Sequence, residues 1–278
     1  MDRRVFEQLA DLAESFNRIG LKPVICGGLG IYLCFHKSEG QAREMIRATI
    51  DIDLMLTESQ VLEQARRRAI AEIITHELEY VVREGREHLH FKKDNNQYLD
   101  ILAPRIVGFE TQGFRIKFVK SKLHGHIADE ACFIEEGLRT VSLREFLSDD
   151  DRRSDLAVQV PSPTNAMILK LFAFDDRDEK DGKQDTERAQ AHAFDIYIAA
   201  MLTNRSDYLE AQEFLPRHKG SDIILKTQSI VANKFSSVHR SGWQRVLETS
   251  SFYPKMNVQQ KRERLDEARR RLMRWFTI

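Results

Sequence analysis

Between Thr49 and Leu56 polar and apolar residues alternate without a break, with Ile50, Ile52, Leu54 and Leu56 on one side and Asp51 and Asp53 on the other. Period-two alternation marks a half-buried strand, because successive side chains leave a strand on opposite faces. Asp51 and Asp53 therefore stand on one face, about 6–7 Å apart at the backbone. Two carboxylates that close repel each other. They are either solvated on an open sheet face or drawn together by a positive charge, for which a divalent cation is the natural choice.

This strand lies in a series of alternating helix and strand signals. Phe6, Leu9, Leu12, Ala13 and Phe16 recur at helical spacing and stop at Gly20. Residues 22–26 read as a short apolar strand ending in Gly27-Gly28, and Leu29 to Phe35 opens a helix. Residues 58–75 read as a helix, 88–92 and 97–102 as two strands joined by Asp94-Asn95-Asn96, and 114–119 as a further strand. The second half is mainly helical, over 164–174, 187–202 and 259–276, with Ser162-Pro163 as the first helix start. The pattern predicts an α/β domain with a mixed sheet over 1–155 and a mainly helical domain over 156–278.

Forty-three Lys and Arg balance forty-three Asp and Glu in 278 residues. A net charge of zero argues against coating nucleic acid or an anionic membrane by bulk attraction. The total hides an asymmetry: residues 1–150 carry −4 and residues 151–278 carry +4, much of it between Lys255 and Arg274. No run approaches the roughly 18 apolar residues of a membrane span. Met1-Asp2-Arg3-Arg4, followed by Glu7 and Asp11, has no apolar signal core. Cys26, Cys34 and Cys132 have no CxxC spacing and read as reduced thiols of a cytoplasmic protein, which excludes a zinc knuckle or a disulfide framework.

Three features bear on the acidic pair. Val24 to Gly28 is a strand ending in paired glycines before an apolar helix. Such a junction is either a tight turn or an anion cradle, since free N–H groups and the helix dipole point at whatever binds there. Arg47 and Thr49 lie just before the pair, and Thr49 shares its face. In Tyr98-Leu99-Asp100-Ile101-Leu102 one acid interrupts an apolar strand. It is an edge-strand acid in water, or a cation or donor meets it.

Taken in order, strand–Gly-Gly–helix, Arg47-x-Thr49-x-Asp51-Ile52-Asp53-Leu54 and a later strand bearing Asp100 resemble the nucleotidyltransferase fold of the DNA polymerase beta superfamily. The chain is more closely similar to its AbiEii-type branch, the toxins of bacterial abortive-infection and toxin–antitoxin systems. The likeness reaches from about residue 22 to 202. Pro163 to Ala173 carries Lys170, Arg177 follows two turns later, and His192-Ala193-Phe194-Asp195-Ile196-Tyr197 supplies the last element. Lys180-Asp181 also fits that last motif, but only the second candidate lies on an apolar helix. The superfamily's usual Gly-Ser is Gly-Gly followed by Leu29 here, so a phosphate-touching hydroxyl is missing. A polar stretch from Lys37 to Arg47 is inserted before Asp51, either as a lid over the nucleotide or as a surface loop.

The resemblance implies a Mg²⁺-dependent transfer of a nucleoside monophosphate from an NTP to a hydroxyl of RNA (a tRNA end, for example), protein or a small molecule. It implies an antitoxin as partner and an active site in the cleft between two domains. Asp51, Asp53 and Asp100 would ligate two Mg²⁺ ions. Gly27, Gly28, Arg47 and Thr49 would hold the nucleotide, and Lys170 and Arg177 would neutralise its phosphates. His192 and Asp195 would be catalytic or would brace Lys170 and Arg177. Alone, Lys170 reads as a lysine that snorkels to the surface. The alternative from another class is a non-catalytic module that binds nucleotide or a partner on the same fold.

Other candidates are weaker. His88-x-His90, expected on a strand, and His124-Gly-His126, expected in a turn, read as surface or sheet-face pairs. Ser142 to Glu145 reads as a capping box. The arginines from Arg262 to Arg274 read as a solvated face with internal ion pairs, or as an RNA-binding edge, with Trp275 and Phe276 docking on the body.

Overall fold

Ile52 and Leu54 are fully buried, and the strand they define lies inside a ten-stranded mixed sheet. The computed structural model describes residues 3–47, 49–82, 90–93, 97–108, 111–112, 115–117, 124–180 and 182–276. His88, the turn Asp94-Asn95-Asn96, Asp181 and half of the strand expected at 114–119 lie outside them. The chain forms two units, Met1–Cys34 with Arg47–Ser162, and Phe35–Ile46 with Pro163–Ile278.

In chain order the first unit carries α1 (Arg3–Arg18), β1 (Val24–Cys26), α2 (Gly27–Phe35), β2 (Asp51–Met55), α3 (Glu58–Leu62), α4 (Gln64–Glu72), β3 (Val81–Val82), β4 (His90–Lys93), β5 (Gln97–Ala103), β6 (Thr111–Gln112), β7 (Arg115–Lys117), β8 (His124–Ile127), β9 (Arg139–Ser142) and β10 (Ala157–Val160). The sheet order is β6-β7-β8-β5-β2-β1-β10-β9, with β4 on β5 and β3 on β4. Three pairs are parallel, β1–β10, β2–β5 and β5–β8. The rest are antiparallel. The α/β class with a mixed sheet is therefore as expected.

α1 buries Val5, Phe6, Leu9, Leu12, Ala13 and Phe16 in the core that also holds Ile25, Ile52, Leu54, Leu99 and Ile101. Each such large side chain contributes about 1.5–3 kcal/mol by leaving water. Arg153 ties α1 to the turn at 152–155 by bonding both Asp11 and Asp151. Its side-chain hydrogen bonds hold the Asp151 carboxyl down at about 2.

Two local expectations are corrected. The helix read over 58–75 is two short helices, because Glu63 is extended, with φ −84° and ψ 109°. Thr57 and Gln60 close a capping box that fixes α3, and Arg67 donates to the Val61 carbonyl, an acceptor that a continuous helix would use itself. His124-Gly-His126 is not a turn but most of β8, in antiparallel pairing with β7. Ser142 does cap the following 3-10 turn, accepting from the Arg144 amide.

Among its described residues the second unit holds a 3-10 turn at Gln41–Met45 and the helices α5 (Pro163–Asp178), α6 (Lys183–Leu202), α7 (Arg205–Arg217), α8 (Asp222–Ile230), α9 (Ser241–Leu247) and α10 (Val258–Phe276). α6 is buried all round from Ala193 to Ala200, the sign of a central helix. It packs against α5, α9 and α10. α10 buries Leu265, Ala268, Leu272, Trp275 and Phe276 at helical spacing, and the Trp275 indole donates to the Thr164 hydroxyl at 3.3 Å. Several of its arginines pair internally, Arg269 with Asp266 and Arg271 with Glu267, both at 2.8 Å. Among the described residues no helix is long and apolar enough to cross a membrane.

Candidate active site

Register across the sheet sets the site. In the parallel pairing of β2 with β5, Asp53 lies opposite Asp100. In the antiparallel pairing of β4 with β5, His90 lies opposite Asp100, and Cys26 lies opposite Asp53 across β1 and β2. Neighbouring strands are about 4.8 Å apart and register partners share a face. Cys26, Asp53, Asp100 and His90 therefore form one row across four strands. Asp51 stands two residues before Asp53 on the same face, exposed at the strand start, with its amide donating to the Thr49 hydroxyl at 3.3 Å.

Asp100 has a specific partner. His90 Nδ1 and Asp100 Oδ1 are 2.6 Å apart, with side-chain exposures of 21% and 29%. A ring nitrogen bonded to one carboxylate oxygen fixes the orientation of the Asp100 side chain. Local sequence around His90 offers no acid partner. The signal is antiparallel register: with Lys93 opposite Gln97, Lys92 falls opposite Tyr98 and His90 opposite Asp100.

Gly27 makes the row possible. Its φ is +65°, and a Cβ there would fall 1.6 Å from Asp53 Oδ2. The Asp53 carboxylate thus lies directly on the glycine that opens α2, where the helix dipole favours negative charge. A Cβ on Gly28 would instead touch Thr49 at 3.6 Å and Arg47 at 3.9 Å. The paired glycines, Arg47, Thr49 and Asp53 are thereby gathered at the N-terminus of α2.

The donor set suits a hard divalent cation: oxygen ligands, partly open to solvent, with two carboxylates in adjacent register whose repulsion a cation would relieve. His90 occupies one oxygen of Asp100. Among the described residues no three His, Cys, Asp or Glu side chains already stand as a group able to hold a metal ion.

The remaining predicted residues lie in the second unit. Lys170 Nζ is 2.7 Å from Asp195 Oδ2, with exposures of 8% and 4%, so the lysine does not snorkel but meets a buried acid on the next helix. His192 precedes Asp195 by one helical turn. Arg177 bonds Asp185 at 2.8 Å and lies 3.4 Å from Asp176. An unforeseen cluster closes the end of α5: Asp178, 3% exposed, accepts from Ser241, Lys234 and Arg245. Burial raises its carboxyl pKa, but those three hydrogen bonds outweigh burial and hold it below the usual value.

The fold and the acidic row define an α/β protein with a mixed sheet and a carboxylate-bearing face beside a glycine-opened helix. The chain belongs to the family described as nucleotidyl transferase AbiEii toxin, type IV toxin–antitoxin system, whose sequence model matches residues 8–269. No curated protein and no solved structure matches.

Proposed function

We propose that the chain is a nucleotidyltransferase of the DNA polymerase beta type, acting as the toxin of a toxin–antitoxin pair. The observation that carries the reading is the register of Asp53 with Asp100, beside the glycine-opened N-terminus of α2, in a chain of the AbiEii family. The reaction moves an NMP from an NTP to a hydroxyl of RNA, protein or a small molecule. The acceptor oxygen bonds to the α-phosphorus, the bond to the bridging oxygen of the β-phosphate breaks, and pyrophosphate leaves. Asp51, Asp53 and Asp100 would hold Mg²⁺, which supplies phosphate charge neutralisation and Lewis acidity. The Gly27 and Gly28 backbone, with Arg47 and Thr49, holds the triphosphate. Asp100, oriented by His90, takes the proton of the attacking hydroxyl. An antitoxin is the expected partner.

The second reading, a module that binds nucleotide or a partner without catalysis, draws on the Lys170–Asp195 pair, in which the lysine charge is already met. Calorimetric titration of each NTP with Mg²⁺ tests the proposal. The expected result is saturable, Mg²⁺-dependent binding of at least one NTP, lost in Asp53→Ala. Absence of Mg²⁺-dependent binding of any NTP refutes it.

A further inference from the structure

A second row of residues runs beside the one that carries Asp53 and Asp100. In the pairing of β4 with β5, Lys92 lies opposite Tyr98, and in that of β2 with β5, Tyr98 lies opposite Asp51. Lys92, Tyr98 and Asp51 each stand two positions from a member of the first row, so they share the face of the carboxylates. Burial agrees. Phe91, between His90 and Lys92, is fully buried on the core side, while Lys92 is exposed. Lys92 belongs to none of the motifs named above.

Its setting is specific. Lys92 is the diagonal neighbour of Asp100 across β4 and β5. Such positions are about 7–8 Å apart, within reach of a long side chain. Asp100 is instead bonded by His90 at 2.6 Å. Among the described residues no ion pair or side-chain hydrogen bond engages Lys92. Nor is it a charge that guards a sheet edge, since β4 is paired on both sides, with β3 and with β5. On β3 its opposite number is Val81, which is 55% exposed and brings no competing charge. An ammonium with three donors on a flexible four-carbon stem thus stands beside Asp100 with no partner among these groups.

Position decides what it serves. The paired glycines open α2 at the end of β1, and β1 and β4 are separated by β2 and β5. Three strand spacings are about 14 Å. Lys92 therefore lies on the far side of Asp100 from the glycines that would hold the triphosphate. In the proposed transfer Asp100 receives the proton of the attacking hydroxyl, so the charge of Lys92 falls on the acceptor side. Lysine is a standard ligand for phosphate, acting as a point charge.

We propose that Lys92 is an acceptor-binding residue, its ammonium holding a phosphate of the acceptor beside the hydroxyl that Asp100 deprotonates. The inference rests on the nucleotidyltransferase reading and adds a substrate chemistry to it, an acceptor with a phosphate near its hydroxyl. A nucleic-acid strand and a phosphorylated sugar both present that group.

Binding tests it, on the full chain with Mg²⁺ and without NTP. The probes are a fluorescent single-stranded RNA hexamer with a free 3′-hydroxyl, read by anisotropy, and ribose 5-phosphate, read by calorimetry. The expected result is saturable binding of at least one probe, weakened at least about fivefold in Lys92→Ala and kept within about twofold in Lys92→Arg. Binding of the hexamer alone assigns the phosphate to a strand, and binding of ribose 5-phosphate assigns it to the sugar phosphate itself. For the hexamer, Lys92→Ala should also reduce the slope of log affinity against log salt by about 0.7, which a merely structural role would leave unchanged. Mg²⁺-dependent NTP binding, measured in parallel, should be the same in both variants as in wild type. Four results would overturn the proposal: no saturable binding of either probe; binding that Lys92→Ala leaves intact; equal loss in Lys92→Arg and Lys92→Ala; or NTP binding that falls together with acceptor binding in Lys92→Ala. A wild-type protein that binds no NTP would instead remove the nucleotidyltransferase reading, and this one with it.

Discussion

Replacing Gly27 by alanine tests how the acidic row is built. Two costs arise, and they can be separated. At φ +65° a residue with a Cβ is disfavoured by roughly 1–2 kcal/mol. The new Cβ would also lie 1.6 Å from Asp53 Oδ2 and 2.6 Å from its Cγ, so the carboxylate must rotate away. Driving a side chain off its rotamer costs about 0.5–1.5 kcal/mol more. Gly27→Ala should therefore lose about 2–3 kcal/mol. At roughly 2–4 °C per kcal/mol, that is a fall of about 5–10 °C in Tm. Gly28→Ala is the control. It meets nothing closer than 3.6 Å, and alanine favours a helix over glycine by about 1 kcal/mol, so stability should hold or rise. Asp53→Ala removes the carboxylate clash but keeps a Cβ contact at 3.0 Å and the φ cost. In a double-mutant cycle, Gly27→Ala should cost about 1 kcal/mol less on the Asp53→Ala background. The assay is thermal and urea unfolding of the four proteins. Equal effects at Gly27 and Gly28, or strict additivity of Gly27→Ala with Asp53→Ala, would refute the placement of Asp53 on Gly27.

Three further predictions follow from other side chains. Lys170→Ala leaves Asp195 buried without its cation and should cost about 3–5 kcal/mol, while Lys170→Met with Asp195→Leu recovers most of it; urea unfolding decides, and a Lys170→Ala protein as stable as wild type contradicts the pair. Asp178 has a lowered pKa when folded, so the stability it contributes is complete above the ordinary carboxylate value of 3.8 and is lost as pH falls through the lower folded value. Tm measured from neutral to acid pH should fall less steeply in Asp178→Asn than in wild type, and parallel curves would rule the cluster out as an acid-labile point. His90→Ala should lower kcat of nucleotidyl transfer roughly tenfold with little change in KM for NTP, as expected for loss of an orienting hydrogen bond. His90→Asn, which keeps a donor near Asp100, should restore part of the rate, and equal rates in the two variants would deny the orienting role.

The sequence yielded those features that local pattern determines. β2 is legible because its alternation is unbroken, α1 and α6 because their apolar residues recur at helical spacing, and α5 because Ser162-Pro163 starts a nearly all-apolar run. What escaped depends on pairing at a distance. β10 is four residues long, and its place in the sheet comes from parallel pairing with β1, more than a hundred residues earlier. Residues 35–46 lie between Gly28 and Asp51 in the chain yet fold with the second unit, a membership that no local composition encodes. In the candidate site alternation places Asp51 and Asp53 on one face, while the roles of Asp100 and the glycines are what the family resemblance implies. His90 needed the hairpin register, and the Lys170–Asp195 bond needed the packing of α5 on α6.

The central claim is that the face bearing Asp53 and Asp100 transfers nucleotides. Its most direct test is incubation of the protein with each α-labelled NTP, Mg²⁺ and total cellular RNA or protein, beside Asp53→Ala and Asp100→Asn. The account predicts covalent transfer of label from at least one NTP to one class of acceptor, abolished by Asp53→Ala and strongly reduced by Asp100→Asn. Label transfer that persists in Asp53→Ala, or no transfer from any NTP to either class by a wild-type protein that binds NTP, would contradict it.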